Sequence, residues 1–135
     1  MIDFEKIKKA LADSNKFTKY TGATILNGSL MYMGADSETF AISITEDEKG
    51  TIVLSDFGTT VARLEKQDFM LDDEDVAFYV RKVLNTFLVD LGPSNELIAK
   101  AKNEADVPFA LSRLYQTVIL LSYIDLQFDY EEDEE

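Results

Sequence analysis

Leu54-Ser55-Asp56-Phe57-Gly58-Thr59-Thr60 is the stretch of this sequence whose residue types most invite a chemical reading. It contains an Asp-Phe-Gly tripeptide, which in protein kinases holds magnesium through the Asp. The parts that must accompany it there are missing: no Gly-rich loop, no strand lysine in context, and no His for a His-Arg-Asp catalytic loop. The local reading is simpler. Ser55 and Asp56 end a strand, Gly58 permits a positive φ, and Thr59 or Thr60 caps the following helix. A buried Asp56 that accepts backbone N–H groups would then be a structural bracket.

The carboxylates offer a second chemistry. Asp36 and Glu38 precede a strand, Asp47 and Lys49 lie in the next turn, and Asp56 ends the strand after it. Magnesium-dependent nucleases and phosphoesterases need two acids near the scissile phosphate, often with a lysine. Asp36, Asp56 and Lys49 could fill those roles, but their spacing is not diagnostic, and acid-rich turns are common.

Other chemistries are excluded by composition. With no Cys there is no disulfide, thiolate zinc site or cysteine nucleophile. With no His the usual base near neutral pH and the commonest transition-metal ligand are gone, as are Ser-His-Asp and Cys-His arrangements. We expect no catalytic residue, no cofactor and no resident metal.

Charge narrows the class of partner. The formal charge is −13. Residues 36–75 carry twelve acids against Lys49, Arg63 and Lys66, and residues 129–135 carry six acids and no base. Such a surface repels phosphate backbones and anionic lipid, so neither direct nucleic-acid binding nor membrane binding is expected. It attracts a basic surface on another protein, and nucleic-acid-binding proteins have such surfaces. Asp36, Glu38, Glu46, Asp47, Glu48, Asp72, Asp73, Glu74 and Asp75 are the candidate interaction residues. Lys6, Lys8, Lys9, Lys16 and Lys19 form the one basic cluster and read as a solvated face. Tyr20, Tyr32, Tyr79, Tyr115, Tyr123 and Tyr130 could stack on bases, but without a basic groove they read as core or interface aromatics.

The elements that position these residues follow from periodicity. The length of 135 residues and 46% hydrophobic content fit one domain, over residues 1–128, with an acidic tail over 129–135. Residues 2–14 read as a helix with Ile2, Phe4, Ile7, Ala10 and Leu11 on one face. Residues 17–34 read as a hairpin turning at Asn27-Gly28, the strongest short hairpin signal. Residues 38–45 and 51–55 read as two further strands around the turn Glu46-Asp47-Glu48-Lys49-Gly50. The period then changes from two to 3.6. A short helix is expected to about Lys66, and a long one over 73–91 that is capped at Asp72-Asp73 and stopped by Gly92-Pro93. Residues 96–102 fit either a strand or a helical turn. Asp106 should cap a last helix with Pro108 in its first turn. That helix is apolar nearly all round, so it is either central or in a homodimer interface. The class is α+β: an antiparallel meander of about four strands, with the N-terminal helix and the C-terminal helices packed on one face. The first residues, with early acids and no apolar run, do not read as a signal peptide, and no apolar run approaches membrane-spanning length, so a cytoplasmic location is expected.

Residues 36–127 resemble a family of uncharacterised bacterial and phage proteins, domain of unknown function 1828. The resemblance rests on Gly34-Ala35-Asp36 before the alternating strand Phe40-Ala41-Ile42-Ser43-Ile44, and on Ile52-Val53-Leu54-Ser55-Asp56-Phe57-Gly58-Thr59-Thr60 followed by Val61-Ala62-Arg63-Leu64. It implies that Ser55, Asp56, Gly58 and Thr60 form a signature turn, and it carries an association with phages and mobile elements. It brings no activity with it. Two classes of function stand after this reading. The first is a non-enzymatic acidic protein that binds a basic surface, in its sharpest form a phage-encoded inhibitor that mimics DNA on a host defence nuclease such as a Cas protein, which holds its heteroduplex in a basic channel. The alternatives are a magnesium-dependent nuclease or phosphoesterase and an oligomeric accessory domain.

Overall fold

A computed structural model describes residues 2–13, 16–20, 23–27 and 41–132, with side chains for 2–9 and 41–128. The chain runs α1 (Phe4–Asp13), β1 (Lys16–Tyr20), β2 (Ala23–Asn27), β3 (Ile42–Glu46), β4 (Ile52–Ser55), α2 (Thr59–Lys66), α3 (Glu74–Phe87), β5 (Asp90–Leu91), β6 (Leu97–Ala101), a 3₁₀ turn (Glu104–Asp106), α4 (Val107–Ser122) and α5 (Ile124–Glu132). The strands form one sheet in the order β1-β2-β3-β4-β6-β5, with every neighbouring pair antiparallel. The expected α+β class and four-strand meander are present, and β6 and β5 extend the sheet beyond β4.

Local chemistry explains the β3–β4 turn. The Asp47 carboxylate accepts the N–H groups of Lys49 and Thr51, both at 2.9 Å, and Gly50 takes a φ of 82°. An Asp that bonds the backbone two residues on, followed by a positive-φ Gly, closes a tight reversal without help from the core.

The core lies between β3, β4 and β6 and the helices α2, α3 and α4. Leu97, Ala99 and Ala101 are buried along one face of β6, so the ambiguous segment is a strand. α4 lies against β6, β4, α2 and α3, with Leu114, Val118 and Leu121 fully buried. Its near-continuous apolar surface therefore reflects a central position. At its far end Ile124 of α5 is also fully buried, and Phe128 packs against Phe69 and Tyr79 at ring-centroid distances of 5.7 and 6.3 Å. Tyr79 donates its hydroxyl to the Leu120 carbonyl at 3.3 Å. Burial raises the Tyr79 phenol above its ordinary value. Any stability this neutral group contributes is held below the ordinary phenol range and lost as pH climbs through the raised value.

Several expectations are corrected. Tyr20 pairs with Ala23, so residues 16–27 form two antiparallel strands, and Gly28 of the expected Asn27-Gly28 turn lies outside the described residues. β2 has β1 on one side and β3 on the other, and the expected partner strand at 29–33 lies outside the described residues, as do 38–40. α3 ends at Phe87 instead of 91: Leu88 takes the left-handed conformation (φ 56°) and the Val89 N–H returns to the Leu84 carbonyl at 3.0 Å. That frees Asp90 and Leu91 to pair with β6. Asp106 precedes α4, but its carboxylate accepts the Lys102 N–H and makes no cap bond to the helix. On α1, Phe4 is 75% and Ile7 46% exposed, so these residues of the apolar stripe do not face the core. α5 is helical to Glu132.

Leu88 is an exposed, non-glycine residue in the left-handed region, where an L side chain costs roughly 1 kcal/mol. Leu88→Gly should therefore stabilise the fold by about 0.5–1 kcal/mol, after allowing for the extra freedom glycine gives the unfolded chain. Thermal denaturation of the two proteins checks this: a lowered midpoint would mean that the Leu88 side chain contributes more than its backbone strain removes.

Candidate functional site

The signature turn joins β4 to α2. β4 ends at Ser55, whose hydroxyl accepts the Phe57 N–H at 3.2 Å. Phe57 and Gly58 then take φ values of 64° and 77°. Two successive left-handed residues turn the chain sharply enough to start a helix directly off a strand. Gly58 is required on two counts: its φ disfavours a side chain, and a Cβ there would come within 3.2 Å of the Ser94 carbonyl.

Asp56 holds this turn. It is fully buried, and its Oδ1 accepts the N–H groups of Gly58 at 2.9 Å and Leu97 at 2.8 Å, while Oδ2 accepts that of Thr60 at 3.1 Å. Its backbone takes part as well: the Asp56 N–H donates to the Leu97 carbonyl at 3.3 Å, and the Asp56 carbonyl accepts the Thr59 hydroxyl at 2.8 Å. α2 starts at Thr59 after Gly58 as its N-cap, with no side-chain cap bond, so neither Thr59 nor Thr60 caps it as expected. Asp56 thus serves in the manner of a cap from two positions upstream, and the positive end of the helix dipole favours its charge. The bracket expected from sequence is present. What sequence reasoning did not supply is its third leg, Leu97, which lies 41 residues away. Only the pairing of β4 with β6 brings it near.

The candidate interaction acids sit elsewhere. Glu46, Asp47 and Glu48 are exposed in the β3–β4 turn, and Asp72, Asp73, Glu74 and Asp75 are exposed around the start of α3. Asp36 and Glu38 lie outside the described residues. Asp73 caps α3, its carboxylate accepting the N–H groups of Asp75 at 2.9 Å and Val76 at 3.2 Å. In sheet register Glu46 aligns with Ile52 and Ile52 with Ala101, so the β3–β4 turn shares its end of the sheet with exposed Glu104. Glu104 was not among the residues singled out from sequence, because nothing local marks that neighbourhood.

Of the magnesium constellation, Asp36 lies outside the described residues. Lys49 and Asp56 sit at opposite ends of β4, with roughly 13 Å of strand between them. Both Asp56 oxygens are engaged by backbone donors inside the protein. Among the described residues no three carboxylates are grouped to hold a metal ion, and no helix is long and apolar enough to cross a membrane.

Fold and site together define a small α+β protein whose one recognisable motif is an internal bracket. A family model for Domain of unknown function DUF1828 matches residues 30–120, which spans β3 to α4 and includes the whole bracket. The chain belongs to that family. No curated protein and no solved structure matches it.

Asp56→Ala leaves three N–H groups without their acceptor, two of them in buried positions, and should cost about 3–5 kcal/mol. Asp56→Asn can keep the oxygen facing Gly58 and Leu97 but turns an NH2 toward the Thr60 N–H, so its cost should fall lower, about 2 kcal/mol. Urea denaturation of the three proteins checks the order. Near-wild-type stability for Asp56→Ala would refute the bracket.

Proposed function

We propose that the protein is a non-enzymatic interaction protein whose exposed acids engage a basic surface on another protein. The observation that carries this reading is the exposure of all seven described candidates on two separately braced turns, Glu46–Glu48 and Asp72–Asp75. Asp47 and Asp73 fix those turns through their own carboxylates, so the charge is presented on defined backbone. Charge held in place loses less freedom on binding than charge on a mobile tail. The bracket supports the reading in another way: the signature's acid is used inside the fold, which leaves the outer acids as the available chemistry.

The finer form of the proposal is a phage-encoded inhibitor that occupies the nucleic-acid channel of a host defence nuclease. Its motivation is the net charge of −13 and the phage association of the family resemblance. Both forms place the protein inside the cell.

The test is capture of nucleic-acid-binding proteins by the purified protein from nuclease-treated lysate at low salt, where charge attraction is strongest. Glu46→Lys/Glu48→Lys and Glu74→Lys/Asp75→Lys serve as matched variants. A specific partner held by the wild type, and weakened at least tenfold by one of the pairs, is the expected outcome, since rim charges act mainly through long-range attraction. Equal capture by wild type and both variants would remove the acids from the function.

A further inference from the structure

The end of α3 and the strand β5 compete for the same residues. Val76, Val80, Val83, Leu84 and Phe87 form the inward stripe of α3, and Leu91, four residues after Phe87, is the next position on it. No glycine or proline lies between Phe87 and Leu91 to end the helix, whereas Gly92-Pro93 would stop one that ran on to Leu91. The backbone leaves that course at Leu88. This residue takes a left-handed φ of 56° with its side chain exposed, a conformation that an L side chain resists.

Three sets of contacts hold the departure. Val89 is buried. Asp90 and Leu91 pair with Ile98 and Leu97, in a strand only two residues long. Arg113 adds the third. From α4 its guanidinium donates to the Leu88 carbonyl at 3.0 Å and to the Lys100 carbonyl at 2.9 Å. Continuing the register of β5 and β6 by two places sets Leu88 opposite Lys100, so the arginine bridges the point where the ladder gives out. Its neighbour Leu114 is fully buried, which fixes the helix that carries it.

We propose that residues 88–91 form a two-state segment: the strand described above, and a minor state in which α3 continues as helix to Leu91, with Arg113 as the latch that sets the balance. Helix continuation removes the left-handed residue and brings Leu91 into line with Leu84 and Phe87. It gives up the burial of Val89, the β5 pairs and the latch. The terms on both sides are few and local, which is the condition for a minor state populated at roughly 0.1–10%. The consequence falls on β6. Leu97 turns its N–H and carbonyl toward Asp56, so by alternation Ile98 turns its own toward β5, and loss of β5 opens them. A strand edge opened in this way is a template on which an added strand can pair, so the segment gates access to the edge of the sheet.

The test is nuclear magnetic resonance on the full chain, with Arg113→Met and Leu88→Gly as variants. Carbon relaxation dispersion at residues 88–91 reads the shifts of the minor state. Hydrogen exchange at Ile98 reads the opening of β5, and Ala99, which pairs with Leu54 of β4, is the internal reference. Helical shifts are expected for the minor state. Arg113→Met keeps the aliphatic stem but removes both donors, and it should speed Ile98 exchange relative to Ala99 by about tenfold. Leu88→Gly favours the left-handed turn over the helix and should slow the same exchange by about tenfold. If Arg113→Met loses the whole fold, seen as equal loss of protection at Ile98 and Ala99, the wild-type dispersion and Leu88→Gly decide. Minor-state shifts of disordered chain overturn the proposal, as does an Ile98 exchange rate that Leu88→Gly leaves unmoved.

Discussion

The Asp56 carboxylate is the point on which the rest of the structure depends. Three backbone donors converge on it, and each belongs to a different decision of the chain: Gly58 to the turn out of β4, Thr60 to the first turn of α2, and Leu97 to the start of β6. Remove the acceptor and a helix start, a strand start and a turn lose their common origin together. A charged acceptor suits this place, since bonds from N–H to carboxylate are stronger than neutral ones and a desolvated donor has no water to replace it. From the same point the chain direction follows. α2 leaves the sheet toward α4, β6 runs back beside β4, and the alternation of Leu97, Ala99 and Ala101 sets the face that α4 covers.

That arrangement bears on function by subtraction. The backbone bonds that Asp56 accepts and the positive φ of Phe57 and Gly58 give the residues from Ser55 to Thr60 a role in folding. The same physics recurs on a smaller scale at Asp47 and Asp73, where a carboxylate bonds two N–H groups and remains exposed. The difference between these acids and Asp56 is burial and reach. Asp56 ties together segments 41 residues apart, whereas Asp47 and Asp73 close only their own turns and keep an open side toward solvent. Among the described residues, Asp56 is the acid buried in the core, while Asp47 and Asp73 present charge.

Much of this was legible in the sequence wherever the signal is local. The Glu46–Gly50 turn, the α2 and α3 stripes, and the Asp56–Gly58 bracket all follow from residues within a few positions of each other. The failures share a cause, which is competition with something distant. No strong turn signal separates Tyr20 from Ala23, yet the two pair and β1 and β2 run antiparallel. α3 carries helical periodicity through Leu91, yet β5 draws Asp90 and Leu91 into the sheet and forces a left-handed Leu88, a position where no glycine advertised the stop. Arg113 belongs to the same group. Its guanidinium donates to the carbonyls of Leu88 at 3.0 Å and Lys100 at 2.9 Å, joining the end of α3 to β6 beyond the reach of β5. Nothing in the local sequence distinguishes it from a solvated helix arginine.

Among the described residues, exposed charge meets exposed aromatic surface at the start of α3. Asp75 belongs both to the acidic run and to the lining of a groove between α3 and α5. Two chains of charge −13 repel at a distance, so any association between them must gather its attraction at short range from apolar contact and local charge pairing. A basic partner faces the opposite balance, with attraction at every distance and little need for shape. The β3–β4 turn, braced by its own carboxylate and bearing no large apolar residue, fits the second kind of contact.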